Sequence, residues 1–204
     1  SIGDLGCISF HETKNIICGE GGALIINDAL FSKRAEIIRE KGTNRTAFRK
    51  GEISKYSWVD IGSSFLPGEM TAAFLWAQLQ EGDLITNKRK DIWNYYHNEF
   101  KDLENIQKIK RPHIPEHTSH NGHLYYLLLK TKNLRDNFIE MMRLKGVHCV
   151  FHYIPLHSSK IGKKIGRISG DMTVTDDVAY RLVRLPIWIG VDNNFVSKCV
   201  RHCL

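Results

Sequence analysis

A polar segment ending in a glycine cluster separates two apolar runs near the start of the chain, and it restricts the local fold more than any other stretch. Cys7 to Phe10 is short and apolar, as is Ala23 to Asn27, and each reads as a buried strand. Between them lie His11-Glu12-Thr13-Lys14-Asn15 and Gly19-Glu20-Gly21-Gly22. Glycine clusters break regular structure and open backbone conformations closed to other residues. Lys14 is therefore expected on a loop at a strand end. Loops held by buried strands are common positions for chemistry, and a lysine there acts as an amine nucleophile when its surroundings lower its pKa. The alternative is a solvated lysine beside a turn, the usual state of a lone lysine.

Several function classes are excluded at this level. The glycine cluster lacks the third glycine of a dinucleotide fingerprint and the lysine-serine pair of a P-loop. A net charge of +7 would suit an anionic partner, but no nucleic-acid-binding motif accompanies it, so no nucleic-acid partner is expected. No apolar run approaches the roughly 18 residues that span a bilayer, so a soluble, cytoplasmic protein without a membrane partner is expected. The five cysteines are odd in number and scattered, against a disulfide framework, with Cys7 and Cys149 read as core. Cys199 and Cys203 flank His202 without a second pair, and His113, His117, His120 and His123 lack an accompanying ligand set. No metal is expected.

Apolar spacing sets out the remaining elements. Asp28 is placed to cap a helix from Ala29 to Lys41 that Gly42 ends, with Phe31, Ala35, Ile37 and Ile38 as its core stripe. Residues 42–65 carry little helical pattern. Their aromatics Phe48, Tyr56, Trp58 and Phe65 could form a satellite core or line a ligand site. A helix follows Pro67-Gly68, with Met70, Ala73, Phe74 and Ala77 on one face, and a longer one runs from Asp83 to Leu103. A domain boundary is expected near residues 81–83, giving domains 1–82 and 83–204. The second reads as a small α+β layer: strands at 106–109, 124–129 and 147–151, a helix at 134–145, and helices at 175–184 and from Phe195 onward. Thr173 with Asp176 has the spacing of a capping box, and the basic, glycine-spaced segment Lys160 to Arg167 reads as a loop able to clasp a diphosphate or simply to be solvated.

Ser9-Phe10-His11-Glu12-Thr13-Lys14-Asn15, Gly19-Glu20-Gly21-Gly22 and Arg39-Glu40-Lys41-Gly42-Thr43-Asn44-Arg45 together resemble the sugar-nucleotide aminotransferases that use pyridoxal phosphate. The similarity continues through Trp58 to Ser64, the Ala72-Ala73 to Gln78-Leu79 helix, Phe151 to His157 and Arg184-Leu185-Pro186, so it spans nearly the whole chain. It implies an α/β, fold-type-I architecture, here the end of the large domain (1–82) and the small C-terminal α+β domain (83–204). It also implies that Lys14 forms the Schiff base with pyridoxal 5'-phosphate and moves the proton, and that Ser9 contacts the cofactor phosphate. Ser63 and Ser64 become cofactor-side contacts across a homodimer, and Lys41, Asn44, Arg45, His152, Tyr153 and His157 become substrate-binding candidates.

Within the family, the chain is most similar to the enzymes that convert dTDP-4-keto-6-deoxyglucose to dTDP-4-amino-4,6-dideoxygalactose with glutamate as amino donor, a step towards surface polysaccharide. A sibling transaminase acting on a 3-keto or GDP-linked sugar is one alternative. Family members carry a further N-terminal half with the phosphate loop, the aromatic that stacks on the cofactor and an aspartate for its ring nitrogen. The chain thus reads as a C-terminal part, and an inactive structural or dimerisation piece is the second alternative.

Overall fold

The computed structural model describes residues 2–204, which form two compact units, the first ending at Asp83 and the second running from Leu84 to Leu204. In the first unit, β1 (Leu5–Ser9) and β2 (Gly22–Ile26) form a two-stranded antiparallel hairpin with Leu5 opposite Ile26 and Ser9 opposite Gly22. Asp28 caps a short 3-10 turn, Ala29–Phe31, by accepting from the Leu30 N–H at 2.9 Å, and α1 (Ser32–Arg39) follows. Lys41 and Gly42 both take positive φ (64° and 77°) and end the helix. A five-residue helix, α2 (Arg45–Arg49), interrupts the irregular segment, and α3 (Glu69–Gln80) closes the unit.

The strands occur where the apolar runs predict them, but they are not buried. Cys7 is exposed, as are Leu5, Ile8 and Leu24, because a hairpin of two strands needs another layer against its faces and the unit supplies little. The stripe on α3 is likewise open, with Met70 86% exposed, and Phe48, Tyr56, Trp58 and Phe65 lie at the surface rather than in a satellite core. The hairpin, α1 and the 65–67 segment together line an open apolar cavity of about 1270 Å³.

The second unit has its own core. It comprises α4 (Gly82–Glu99, which begins just before the division), α5 (Lys101–Asn105), β3 (Ile109–Lys110), β4 (Tyr125–Leu129), α6 (Lys132–Leu144), β5 (Val150–Phe151), α7 (Lys160–Ile165), α8 (Thr173–Arg181), β6 (Leu182–Leu185) and α9 (Asn193–Cys203). The strands form one antiparallel sheet in the order β3-β4-β6-β5. Tyr125, Leu127 and Leu129 alternate inward from β4 onto Trp93, Tyr96, Phe100, Phe138, Met142 and Val200. Buried Tyr96 donates its hydroxyl to the Pro186 carbonyl at 3.0 Å, and Trp93 Nε1 donates to the Leu124 carbonyl at 3.1 Å.

Four local expectations change. The long helix breaks at Phe100, whose φ and ψ of −100° and 13° separate α4 from α5. The segment from Lys160 is helical rather than a loop, with the Ser159 hydroxyl accepting from the Gly162 N–H at 3.0 Å. The helix expected to reach Arg184 stops at Arg181 and becomes β6, a central strand of the sheet. No capping box forms: the Thr173 N–H donates to Asp171 Oδ1, and the Asp176 carboxylate is directed to His157 instead.

Trp93 lies between two imidazoles, with His97 stacked at 4.7 Å and His120 at 4.3 Å. Burial, and then the Arg111 guanidinium, holds His97 below the ordinary histidine value, with Glu104 opposing; burial and Lys90 hold His120 down. A histidine depressed in the folded state binds protons more readily when unfolded. Its contribution to stability is therefore complete above the ordinary value of 6.5 and is lost as pH falls below it towards the lowered folded value. The urea midpoint is expected to drop between about pH 7.5 and pH 5.5, above the range in which carboxylates titrate. The double variant His97→Phe/His120→Phe should flatten that slope; an unchanged slope would assign it to other groups.

Candidate active site

The loop between β1 and β2 extends the hairpin ladder rather than leaving it. Phe10 N–H donates to the Gly21 carbonyl at 2.9 Å, Cys18 N–H to Phe10 at 2.8 Å, and Glu12 N–H to Gly19 at 2.9 Å. Phe10 is buried beneath this loop, and Gly19 takes φ +81°, which an L side chain adopts at a cost. Lys14 closes a tight turn by donating its N–H to the His11 carbonyl at 2.9 Å. His11 Nδ1 accepts from the Thr13 N–H at 3.2 Å, and its Nε2 faces Glu20 at 3.5 Å, which fixes the turn from both sides.

The Lys14 side chain is exposed, and among the described residues no carboxylate is paired with its amine. Ser9, the last residue of β1, accepts the His11 N–H at 3.3 Å, and among the described residues its own hydroxyl proton has no acceptor. An uncommitted amine on a braced loop and an uncommitted hydroxyl donor at the end of the strand that leads into it suit an aldehyde cofactor carrying a phosphate: the amine for the carbonyl carbon, the hydroxyl for a phosphate oxygen.

The second group of candidates in this unit is assembled by backbone pairing. Lys41 N–H donates to the Ser63 carbonyl at 3.0 Å, Glu40 forms a bridge with Ser64, and Thr43 forms one with Trp58. Gly42 and Gly62 touch at the crossing. A Cβ on Gly62 would stand 2.2 Å from the Gly42 nitrogen, so only glycine fits. Beneath it, the Glu40 carboxylate is buried and faces Arg49 at 3.4 Å, and the Thr43 hydroxyl donates to the Glu40 carbonyl at 2.8 Å. Lys41, Ser63 and Ser64 are thus neighbours in the fold. Asn44 Oδ1 is occupied by the Ser57 N–H at 2.8 Å, and the Arg45 guanidinium lies 5.8 Å from the centre of the Tyr56 ring.

In the second unit, His152 and Tyr153 directly follow β5, their rings 5.2 Å apart and steeply inclined. His157, in the 3-10 turn Leu156–Ser158, holds its Nε2 3.0 Å from Asp176 Oδ1 on α8, which orients the imidazole. Arg184 of β6 lies against this group, its guanidinium carbon 5.5 Å from the Tyr153 ring centre. Sequence reading marks Arg184 only as part of a motif and assigns it no role. The available signal was a single charge inside the apolar run Leu182-Val183-Arg184-Leu185. His152 is held below the ordinary histidine value by burial and then by Arg184.

Residues 1–203 match the model of the DegT/DnrJ/EryC1/StrS aminotransferase family, and the chain belongs to that family. It is 31% identical over 196 residues to the uncharacterized protein MJ1066 of Methanocaldococcus jannaschii, covering 92% of this chain and 50% of the relative. It is 26% identical over 215 residues to the dTDP-4-dehydro-2,3,6-trideoxy-D-glucose 4-aminotransferase of Saccharopolyspora spinosa, covering 99% and 54%. In structure it matches Spr1654 of Streptococcus pneumoniae, described as a sugar aminotransferase and solved in its PLP-form, with a TM-score of 0.80, 22% identity, and coverage of 100% of this chain and 51% of that one. The α/β fold is that of the pyridoxal-phosphate-dependent aminotransferases of this family. The chain spans about half the length of the curated relatives it matches.

Proposed function

We propose that the chain is part of a pyridoxal-phosphate-dependent transaminase that moves the amino group of glutamate to dTDP-4-keto-6-deoxyglucose, giving dTDP-4-amino-4,6-dideoxygalactose. The observation that carries the proposal is the braced β1–β2 loop, which presents a Lys14 amine unpaired among the described residues and follows Ser9 at the end of β1, in a chain of an aminotransferase family. In this reading the first unit is the end of the large, cofactor-binding domain, and the second is the small domain.

When bound, pyridoxal phosphate supplies an electron sink that weakens bonds at the amino-bearing carbon. Lys14 would hold the cofactor through its Nζ and, once released, take the proton from the donor's carbon and return one to the acceptor's carbon. For that role the amine must be neutral. Ser9 would donate its hydroxyl to the cofactor phosphate. Lys41, Asn44, Arg45, Ser63 and Ser64 would act across a homodimer, the cations on the nucleotide diphosphate and the serines on the cofactor side of the neighbouring site. His152, Tyr153 and His157 would orient the sugar nucleotide, His157 with its ring angle set by Asp176.

The test is borohydride reduction of the protein with pyridoxal phosphate, followed by peptide mapping, on this chain and on a version extended to the length of its relatives. The label is expected on Lys14 in at least the longer protein; a label elsewhere, or none in either, overturns the proposal. Keto sugars linked to dTDP, UDP and GDP then decide the nucleotide. A second reading, a structural or dimerisation piece without activity, is favoured by the open apolar faces of the hairpin and α3. Absence of the Lys14 label in both proteins would leave that reading standing.

A further inference from the structure

β6 carries one charge into the sheet. Val183 and Leu185 turn to the core opposite Leu127 and Tyr125, while Arg184 lies on the other face, between Tyr126 of β4 and Val150 of β5. His152, two residues beyond Val150, is the diagonal neighbour of Arg184 on that face. A polar atom removed from water is ordinarily hydrogen-bonded. Each other buried or partly buried arginine has a carboxylate or carbonyl partner: Arg89 donates to the Gly122 and His123 carbonyls, Arg111 binds Glu104, Arg181 binds Asp177 and the Leu129 carbonyl, and Arg135, whose Nε likewise makes no hydrogen bond, faces the Asp136 carboxylate at 2.7 Å.

Arg184 does not. Its Nε is buried with no hydrogen-bond partner, and among the described residues no carboxylate pairs with it. The Nδ1 of adjacent His152 is also buried and without a partner. The face of Tyr153 packs against the guanidinium, which limits its rotation without satisfying its donors. Tyr153 is itself 66% exposed, so the group can be reached from solvent. The cluster thus holds a positive charge and two buried ring or guanidinium nitrogens, Arg184 Nε and His152 Nδ1, that have no partner among the described residues.

We propose that Arg184, with His152 and Tyr153, forms an oxyanion site that takes a carboxylate or phosphate group, with Arg184 donating to two oxygens of the ligand. The identity of the ligand rests on the transaminase reading: within it, the anion is either the carboxylate of the amino donor or the diphosphate of the sugar nucleotide. The site itself stands on the unpaired guanidinium and does not depend on that reading.

The test is isothermal titration of the chain with glutamate and, separately, with pyrophosphate, for the wild type and for Arg184→Met and Arg184→Gln, with circular dichroism and thermal midpoints recorded for each protein. At least one anion is expected to bind the wild type, and both variants are expected to weaken that binding at least tenfold. Because the uncompensated charge is removed, the midpoint of Arg184→Met should equal or exceed that of the wild type, an outcome a purely structural arginine would not produce. Binding of glutamate alone assigns the amino donor, binding of pyrophosphate alone assigns the nucleotide, and binding of both leaves a shared oxyanion site. The proposal is overturned if neither anion binds, if the variants bind as well as the wild type, or if Arg184→Met lowers the midpoint. Arg184-dependent binding without a borohydride label on Lys14 would retain the site and reject the transaminase reading, and the reverse pattern would do the opposite.

Discussion

Lys14→Ala is expected to lower transamination by the extended protein at least about 10³-fold, because proton transfer by a positioned side chain alone contributes roughly 10² to 10⁴ and the covalent hold on the cofactor is lost as well. Lys14→Arg should fail almost as completely: it keeps the positive charge but cannot become the neutral amine the chemistry needs. Neither substitution should affect folding. The side chain is exposed and carries no ion pair among the described residues, so stability should change by no more than about 0.5 kcal/mol. Single-turnover kinetics with glutamate separates the two effects. Retention of more than about a tenth of the wild-type rate by Lys14→Ala would remove this lysine from the chemistry.

The largest stability effect is expected in the second unit, at Phe100. Its ring is fully buried, stacks on Tyr96 at 5.9 Å and 15°, and meets Tyr125 at 6.3 Å. Phe100→Ala removes that packing and leaves a cavity that the surrounding rings and the α4–α5 break cannot readily fill. The expected cost is about 3–5 kcal/mol, against a total stability on the order of 5–15 kcal/mol for a domain. Urea denaturation followed by circular dichroism should show the midpoint falling accordingly, with Phe100→Leu losing markedly less. A loss below about 1 kcal/mol for alanine would mean that the core around Tyr125 collapses to close the gap.

The parts of this fold that local chemistry dictates could be read from the sequence. The hairpin follows from two apolar runs with glycines between them, and α6 and α9 follow from apolar spacing, while their caps Thr131 and Asp192 emerge only from the structure. Local chemistry did not reveal β6. Leu182-Val183-Arg184-Leu185 continues the apolar spacing of α8, and only partners from β4 and β5, distant in sequence, make it a strand. The helix at Lys160 was obscured by Gly162 and Gly166, which weigh against a helix unless a cap such as Ser159 offsets them. Burial in the first unit was overestimated for a related reason. Apolar residues at Leu5, Ile8 and Met70 show which surfaces avoid water, but nothing in their spacing shows what covers them. In the candidate site, the position of Lys14 on a strand-end loop was legible from neighbouring residues. The unpaired state of Arg184 was not, because it depends on which strands flank β6.

The chain contains four tryptophans, and three of them, Trp58, Trp76 and Trp188, are more than half exposed. Trp93, enclosed by two imidazoles and Tyr125, is the buried one. A soluble quencher such as iodide should therefore darken the first three and leave an emission that comes from Trp93 alone. That residual light is a built-in optical gauge of the core beneath β4, available without labelling and blind to events on the hairpin.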